Sequence, residues 1–252
     1  MSAAGTAQAT PVSRFAETLV DLLDRVEYRS VQHQEQFDPV YRLRYEAYRR
    51  EEFVAINSQE VVRDEFDDLP NAHCFGVYID GQLVSSLRFH LMTPEFRLSP
   101  SQSVFPDILD PIIDSGLNCI DPGRFTADYE ASLAFPALPF LTLRIAVMAC
   151  DYYGAKYCLS SVRPEHAAFY KRVFGAVQIG DARYYHGLSF PMVLLASDIP
   201  NGYEQLLRRY PFFMSTQEER EKMFGPQSSP IKAIQPSARL AQRLAELDQL
   251  SA

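Results

Sequence analysis

The chain has 252 residues, of which 47% are hydrophobic and 12% aromatic, a composition that allows one sizeable buried core. Its formal net charge of -8 argues against general nucleic-acid binding, which depends on a basic surface. The sequence contains no apolar run as long as the roughly 18 residues of a membrane span and no basic, apolar leader, so it predicts a cytoplasmic protein without a transmembrane segment.

The first predicted elements are two helices separated by a short strand. Apolar residues recur at helical spacing over 13–27, and residues 28–32 are typical of a strand. Asp38-Pro39 then supplies an N-cap followed by proline at the first helical position, which predicts a helix from there to about residue 53.

A β-hairpin is predicted next, because the apolar stretches 72–79 and 82–91 are joined by Asp80-Gly81, a pair that tolerates the positive φ angles of a tight hairpin turn. A helix over 106–115 and a strand over 117–125, interrupted by Pro122-Gly123, follow. The remaining predicted elements are helices over 139–153, 164–173, 203–210, 216–224 and 238–250, and strands over 156–162, 176–180 and 188–196.

This order predicts an α/β (α+β) fold with a mixed central sheet flanked by helices. We expect a disordered N-terminus over 1–12, one domain over 13–200, and a helical extension over 201–252 that contains a linker at 225–237. The terminal helix is expected to pack on its own domain. The four cysteines lack C-x-x-C spacing, so neither a metal site nor a disulfide is predicted.

Charged residues recur where a core strand or helix would not favour them. Arg44 and Tyr48 lie on the second predicted helix, and Val62-Arg-Asp-Glu-Phe-Asp67 forms a carboxylate-rich loop after it. Leu87-Arg88 lies in the hairpin, and Asp121-Pro-Gly-Arg-Phe125 in the next strand. Buried charges need partners, so these side chains are candidates for one site.

The ordered set of these residues resembles the autoinducer-synthase branch of the GNAT acyltransferase fold, over about residues 38–196. Arg44-x-x-x-Tyr48, Asp64-x-Phe66-Asp67, Leu87-Arg88 and Asp121-x-x-Arg124-Phe125 correspond to the motifs of acyl-homoserine lactone synthases. Val62 replaces the first loop glutamate of those enzymes, Asp121 replaces the second, and the chain has no tryptophan. Those departures, together with phrases such as Asn71-Ala-His-Cys-Phe-Gly-Val-Tyr78, make the chain more similar to N-acyl amino acid synthases.

The resemblance implies a GNAT-like fold whose central parallel strands splay apart, here 121–125 and 156–162. It also implies a long-chain acyl donor carried on the phosphopantetheine of acyl carrier protein, an amino acid as acceptor, no bound cofactor, and a role in bacterial signalling. Coenzyme A-using relatives carry a glycine-containing loop that binds pyrophosphate, whereas residues 125–138 contain no glycine, which favours the carrier-protein donor.

Amide formation from a thioester needs a held amine, a proton acceptor and donors for the developing oxyanion. Asp121 is the predicted base, acting directly or through water. Arg124 is predicted either to keep Asp121 ionised or to bind the amino acid carboxylate, although an Asp121–Arg124 ion pair linking two strands would also fit. Tyr170 is the candidate donor to the departing thiolate, and packing is the alternative.

The predicted substrate-binding residues are Arg44, Tyr48, Asp64, Phe66, Asp67 and Arg88. Asp64 and Asp67 would either attract the substrate ammonium or fix the loop through the arginines. Three functions remain open from the sequence: N-acyl amino acid synthesis, acyl-homoserine lactone synthesis from S-adenosylmethionine, and a non-catalytic acyl-binding or scaffolding module.

Overall fold

Residues 72–92 fold as the hairpin that Asp80-Gly81 predicts. Both turn residues have positive φ, 50° at Asp80 and 80° at Gly81, as a tight turn between two strands requires. The flanking strands are Ala72–Ile79 and Gln82–Met92, paired antiparallel. This hairpin forms one half of the central sheet.

The computed structural model describes residues 14–31, 38–185, 190–226 and 233–251. The predicted disorder over 1–12 and the part of the predicted linker at 227–232 lie outside the described residues. Within them, the sheet has seven strands in the order β1-β2-β3-β4-β5-β7-β6. The strands are β1 (Val26–Val31), β2 (Ala72–Ile79), β3 (Gln82–Met92), β4 (Cys119–Ala127), β5 (Tyr157–Val162), β6 (Val177–Tyr184) and β7 (Pro191–Asp198).

Helices cover both faces of this sheet. They are α1 (Arg14–Leu23), α2 (Pro39–Arg50), α3 (Pro100–Val104), α4 (Pro106–Asp114), α5 (Tyr129–Ala134), α6 (Leu138–Tyr152), α7 (Ala167–Phe174), α8 (Ile199–Arg209), α9 (Gln217–Phe224) and α10 (Ala238–Ser251). Short 3₁₀ turns lie at Glu65–Asp68, Pro164–His166 and Pro211–Phe213.

The predicted mixed sheet is confirmed: β4 and β5 are parallel, while the other neighbouring strands are antiparallel. Helix α6 is buried along nearly its whole length, including Leu141, Ile145 and Met148, so it forms the centre of the core against the sheet. Two elements were absent from the sequence prediction, α3 and α5. Both are short helices, which periodicity identifies poorly.

The C-terminal extension packs on the domain, as expected for its last helix. Ile234, within the predicted linker, is buried and pairs by backbone hydrogen bonds with Tyr28 on β1. Helix α10 contacts α1 and the turn Pro211–Phe213. Arg144 on α6 binds Glu219 on α9, so the extension is attached to the core by a buried ion pair. Within the described residues no helix is long and apolar enough to cross a membrane.

Candidate active site

The candidate site lies where β4 and β5 separate. In the described chain these strands pair only at Cys119–Tyr157 and Ile120–Cys158. Beyond that point β4 continues beside β3, and β5 continues beside β7. A cavity of about 960 Å³ occupies the gap and is lined from both faces of the sheet. The splayed strands expected from the sequence are present, and their unpaired edges face this cavity.

Pro122 and Gly123 do not interrupt β4, contrary to the sequence prediction. The strand is continuous over Cys119–Ala127. Proline lacks an N–H donor and is accepted in a sheet only where that donor is not required. Pro122 lies two residues after Ile120, the last residue paired with β5, where β4 has lost its neighbour on one side. Its position therefore agrees with the end of the parallel ladder.

A β-bulge redirects Arg124. Between the pairs Ser86–Thr126 and Arg88–Gly123, two residues of β4 oppose one residue of β3. Arg124 is the first residue of the bulge and has φ of 52°, a left-handed conformation that is unfavourable for a non-glycine residue. Such a bulge changes the direction of a side chain relative to a regular strand. Arg124 lines the cavity as a result.

The substrate-binding residues predicted from the sequence converge on one charged cluster. The guanidinium of Arg88 lies 2.5 Å from Asp64 Oδ1 and 2.8 Å from Asp67 Oδ1. Arg44 donates to Asp67 Oδ1 at 2.8 Å. Arg124 donates through Nε to Asp64 Oδ2 at 3.0 Å and forms a second bond through Nη2.

The two carboxylates of this cluster also build their own loop. Asp64 accepts from the N–H of Phe66, and Asp67 accepts from the N–H of Asp64, which makes a reciprocal capping box at the turn Glu65–Asp68. Burial opposes ionisation of both, but Arg88 with Arg124, and Arg44 with Arg88, hold the pKa of Asp64 and Asp67 below the usual range. Both carboxylates are therefore ionised at neutral pH.

Charge in this cluster is not balanced, because three guanidinium groups share two carboxylates. The Nε atoms of Arg44 and Arg88 are buried without a hydrogen-bond partner. Arg44 and Asp67 lie behind the cavity wall, whereas Tyr48, Asp64, Phe66, Arg88 and Arg124 line it. Within this cluster, positive charge therefore exceeds negative charge by one.

Asp121 and Arg124 do not pair with each other, although they lie three residues apart. Arg124 is directed to Asp64 by the bulge. Asp121 instead accepts from the hydroxyl of Ser101 at 2.6 Å and from its N–H at 3.1 Å. Burial raises the pKa of Asp121. The Asp121–Arg124 ion pair that the sequence left open as an alternative is not formed, and each side chain has its own partner.

Three hydroxyl residues around Asp121 were missed by the sequence prediction. Ser101, Ser161 and Tyr185 line the cavity and form hydrogen bonds with one another. The available signal was Ser99-Pro100, the same cap and proline pattern that predicts α2, since Ser99 caps the N-terminus of α3. Their proximity to Asp121 depends on the packing of α3 against β4.

Tyr170 lines the opposite, largely apolar part of the same cavity, on α7. It is half-buried, and burial together with nearby Cys158 raises its pKa to about 12. The phenol therefore keeps its proton at neutral pH. Apolar residues of α6, α7 and α8 line this part of the cavity: Pro139, Leu143, Ala146, Val147, Phe169, Phe174, Ile199 and Leu206.

The start of α6, at the edge of this apolar part, has few free N–H donors. Pro139 has no N–H, Leu138 N–H donates to Phe135 O, and Phe140 N–H donates to Ala137 O. These positions would normally supply the donors of an anion site at a helix N-terminus. The start of α6 is consequently poorly suited to hold a pyrophosphate.

Four exposed cations cluster beside the cavity on α7 and α8: Lys171, Arg172, Arg208 and Arg209. The two helices are neighbours, and Arg209 donates to the backbone oxygen of Arg172. Among the described residues none of the four forms an ion pair. We call this group the basic patch.

The described part of the chain contains no group of three His, Cys, Asp or Glu side chains arranged to hold a metal ion. All four cysteines are free thiols.

Comparisons with known proteins identify the family and the fold. The sequence pattern of a family described as N-acyl amino acid synthase FeeM matches residues 39–198. No curated protein matches the chain. The solved structure of FeeM, an N-acyl amino acid synthase from uncultured soil microbes, aligns with a TM-score of 0.58 at 21% identity, covering 73% of this chain and 96% of FeeM.

Two homoserine lactone synthases share the fold. The AHL synthase LasI aligns with a TM-score of 0.57 at 14% identity, covering 76% of this chain and 97% of LasI. The CoA-dependent acyl-homoserine lactone synthase MesI aligns with a TM-score of 0.52 at 17% identity, covering 73% of this chain and 94% of MesI. At these identities the likeness concerns the fold.

Proposed function

The chain belongs to the N-acyl amino acid synthase FeeM family and is an N-acyltransferase, and we propose that it moves a long-chain fatty acyl group from acyl carrier protein to the α-amine of an amino acid. The observation that carries this proposal is the cavity through the β4–β5 gap. It joins a wall that carries the arginine and carboxylate cluster on one side to an apolar wall on the other.

The charged wall supports an acceptor that bears a carboxylate. Asp64 is already bound by Arg88 and Arg124, and the cluster retains an excess positive charge that would repel an ammonium group. Of its two alternatives, fixing the loop is therefore the better role for Asp64. Arg124 remains 29% exposed in its side chain and is our candidate for the amino acid carboxylate. Tyr48, which lies against Arg124, would border the same pocket.

The splayed edges support attack on a thioester at the gap. Backbone N–H groups released from a parallel ladder can stabilise a developing oxyanion. Asp121, whose pKa is raised by burial, is a stronger base than an exposed carboxylate. Tyr170 keeps its proton at neutral pH and is our candidate donor to the thiolate that leaves as the amide forms.

The start of α6 supports a carrier-protein donor rather than free coenzyme A. A pantetheine arm attached to a protein has no terminal pyrophosphate to bind, and the N–H groups of Leu138 and Phe140 already donate to the backbone oxygens of Phe135 and Ala137. Acyl carrier proteins are acidic, so the basic patch is complementary to them, although the chain as a whole is acidic.

The cavity volume supports a long acyl group. About 960 Å³ is at the upper end of the roughly 300–1,000 Å³ found for small-molecule sites. The aliphatic and aromatic side chains on the α6, α7 and α8 side suit a hydrocarbon chain.

A reconstituted assay tests this function. The purified protein is incubated with palmitoyl-acyl carrier protein or palmitoyl-CoA, and with each of the twenty amino acids or S-adenosylmethionine, and products are identified by mass spectrometry. We expect an N-palmitoyl amino acid, formed faster from the carrier protein. A lactone from S-adenosylmethionine would favour the homoserine lactone alternative, and no amide across the panel would overturn the proposal.

Charge reversal tests the donor separately. Lys171→Glu with Arg208→Glu should raise the KM for palmitoyl-acyl carrier protein by about tenfold, because the complementary charge is lost. The KM for palmitoyl-CoA should change little. Arg243→Glu, an exposed cation on α10, is the matched control. An equal effect of the double variant on both donors would argue against carrier docking at the basic patch.

A further inference from the structure

Ser101 bridges the gap between β4 and β5 at the point where their backbones no longer pair. Its hydroxyl donates to Asp121 Oδ1 on β4 at 2.6 Å. The same Oγ lies 2.7 Å from Ser161 Oγ on β5 and 3.2 Å from the hydroxyl of Tyr185. Three hydroxyl groups and one carboxyl group are therefore in continuous hydrogen-bond contact across the gap.

The donors in this network follow from a count of its protons. A serine has a single O–H, and that of Ser101 is directed to the carboxylate of Asp121. Ser161 and Tyr185 must therefore donate to Ser101 Oγ. The bonds thus run in one direction, from the half-buried Ser161 and Tyr185 through Ser101 to Asp121.

Burial separates the two ends of this chain of bonds. Asp121 is 2% exposed and Ser101 is 1% exposed, whereas Ser161 and Tyr185 are only partly buried. A substrate amine in the cavity would reach Ser161 or Tyr185 more readily than Asp121.

We propose that Ser101 is a positioning residue that connects Asp121 to the cavity, so that a proton released by the acceptor amine travels through Ser161 or Tyr185 and then Ser101 to Asp121. This inference rests on the proposed amide-forming function, and it assigns a role to residues that the sequence motifs do not contain.

The proton transfers balance. The neutral amine nitrogen forms a bond to the thioester carbonyl carbon and becomes positively charged, while the carbonyl π electrons move to oxygen; they re-form the C=O bond when the C–S bond breaks. It passes one proton to Ser161 Oγ, whose own proton moves to Ser101 Oγ, while the proton of Ser101 moves to Asp121. Both serines end with one proton each, and Asp121 becomes neutral. The C–S bond then breaks, and the thiolate takes a proton from Tyr170 or solvent.

The surroundings of Asp121 suit an acceptor at the end of such a path. Burial raises its pKa, the bonds from Ser101 and Ser99 oppose that rise, and Arg88 is the nearby positive charge. Cys119 on the same strand and Tyr185 also lie within its field. His90 is its register partner on β3, and its Nε2 is bonded to the backbone oxygen of Phe66.

Replacement of Ser101 tests the proposal through kinetics and pH dependence. With palmitoyl-acyl carrier protein and the amino acid turned over fastest, Ser101→Ala should lower kcat by about 10²-fold, the lower range of general-base contributions. Because the lost bonds favoured the ionised carboxylate, the pKa of Asp121 should rise. The acid limb of the pH profile should accordingly move to higher pH. Tyr185→Phe should cause a smaller loss, since Ser161 still donates to Ser101.

Ser86→Ala is the matched control. Ser86 is also fully buried, and its Oγ lies 2.8 Å from the hydroxyl oxygen of Thr126 on β4. Unlike Ser101, Ser86 does not line the cavity. Both alanine variants remove one buried hydroxyl, so thermal unfolding should report similar losses of stability. Only Ser101→Ala should shift the pH profile.

The outcomes separate this inference from the proposed function. If the wild type makes N-palmitoyl amino acid and Ser101→Ala matches Ser86→Ala in kcat and pH profile, the Ser101 path is wrong while the function stands. If the wild type makes no amide, the function itself fails. Should Ser101→Ala unfold, the double variant Ser161→Ala with Tyr185→Phe provides the same test, because it removes both donors to Ser101 Oγ. An unchanged kcat in that double variant would also overturn the path.

Discussion

Arg144 and Arg88 are both fully buried, and the guanidinium group of each binds carboxylates. The two groups differ in how many of their nitrogen atoms have hydrogen-bond partners. All three nitrogens of Arg144 have partners: Glu219 is bound through both terminal nitrogens, and the backbone oxygens of Phe212 and Met214 accept the remaining bonds. Glu219 also accepts from the hydroxyl and N–H of Ser237.

The cluster around Arg88 is less complete. Two buried Nε atoms have no partner, the positive charge exceeds the negative, and Asp64 is 16% exposed to the cavity. The same residue types thus perform two tasks. The Arg144–Glu219 pair attaches the C-terminal extension to the core, whereas the Arg88 cluster keeps charge available at a cavity wall. A buried ion pair alone therefore does not indicate a functional site. The features that distinguish the Arg88 cluster are its buried nitrogen atoms without hydrogen-bond partners and its position beside a cavity.

The largest expected effect comes from breaking the complete pair. Arg144→Met leaves the carboxylate of Glu219 buried without its cation, and we expect the free energy of unfolding to fall by about 3–5 kcal/mol. Urea denaturation measures this loss. Arg124→Ala should cost much less, since Asp64 keeps Arg88 and some solvent contact.

The double variant Arg144→Met with Glu219→Leu is the control, because it removes both charges. It should recover part of the lost stability. A fall of less than about 1 kcal/mol for Arg144→Met alone would show that the two clusters do not differ in the way that their contacts indicate.

An intermediate effect on the free energy of unfolding is expected when the pH is lowered through the titration of His90. Burial, followed by the charge of Arg88, lowers the pKa of His90 from 6.5 to about 4. His90 is therefore neutral in the folded protein and accepts a proton only on unfolding. The contribution of neutral His90 to the free energy of unfolding is fully present above about pH 6.5. It is lost as the pH falls towards 4, by roughly 3 kcal/mol in total.

Urea denaturation between pH 7.5 and 4.5 checks this slope. His90→Gln should flatten it. Glu219→Gln should leave the slope between pH 7.5 and 4.5 unchanged. Arg144 holds the pKa of Glu219 below its usual value in spite of burial, so the titration of Glu219 affects stability only at lower pH. An unchanged slope in His90→Gln would remove His90 as the cause.

The smallest expected effect concerns the backbone of the bulge. Arg124→Ala and Arg124→Gly lose the same side-chain contacts, but only glycine relieves the positive φ of 52°. We expect the glycine variant to be more stable than the alanine variant by about 1 kcal/mol, measured by thermal unfolding.

Arg183, a partly buried residue on the edge strand β6 without positive φ, provides the comparison. There the order should reverse, because glycine in a strand interior costs about 0.5–1 kcal/mol relative to alanine. Equal stability of the two Arg124 variants would indicate that the bulge carries no backbone strain.

Much of the fold followed from local patterns. Asp38-Pro39 predicted the start of α2, and Asp80-Gly81 predicted the hairpin of β2 and β3, because caps and turns are determined by neighbouring residues. Short helices such as α3 were missed, since five residues give too little periodicity.

The sequence by itself determined most of the element order, the mixed sheet and the residues that carry charge into the core, and the resemblance to a known family implied the splayed strands. Only the tertiary structure decided their partners. Arg124 lies beside Asp121 in the sequence, but the bulge turns it to Asp64, and Asp121 pairs with Ser101 from twenty residues earlier. A side chain's direction depends on the register of the neighbouring strand and on the packing of distant elements, neither of which local periodicity contains.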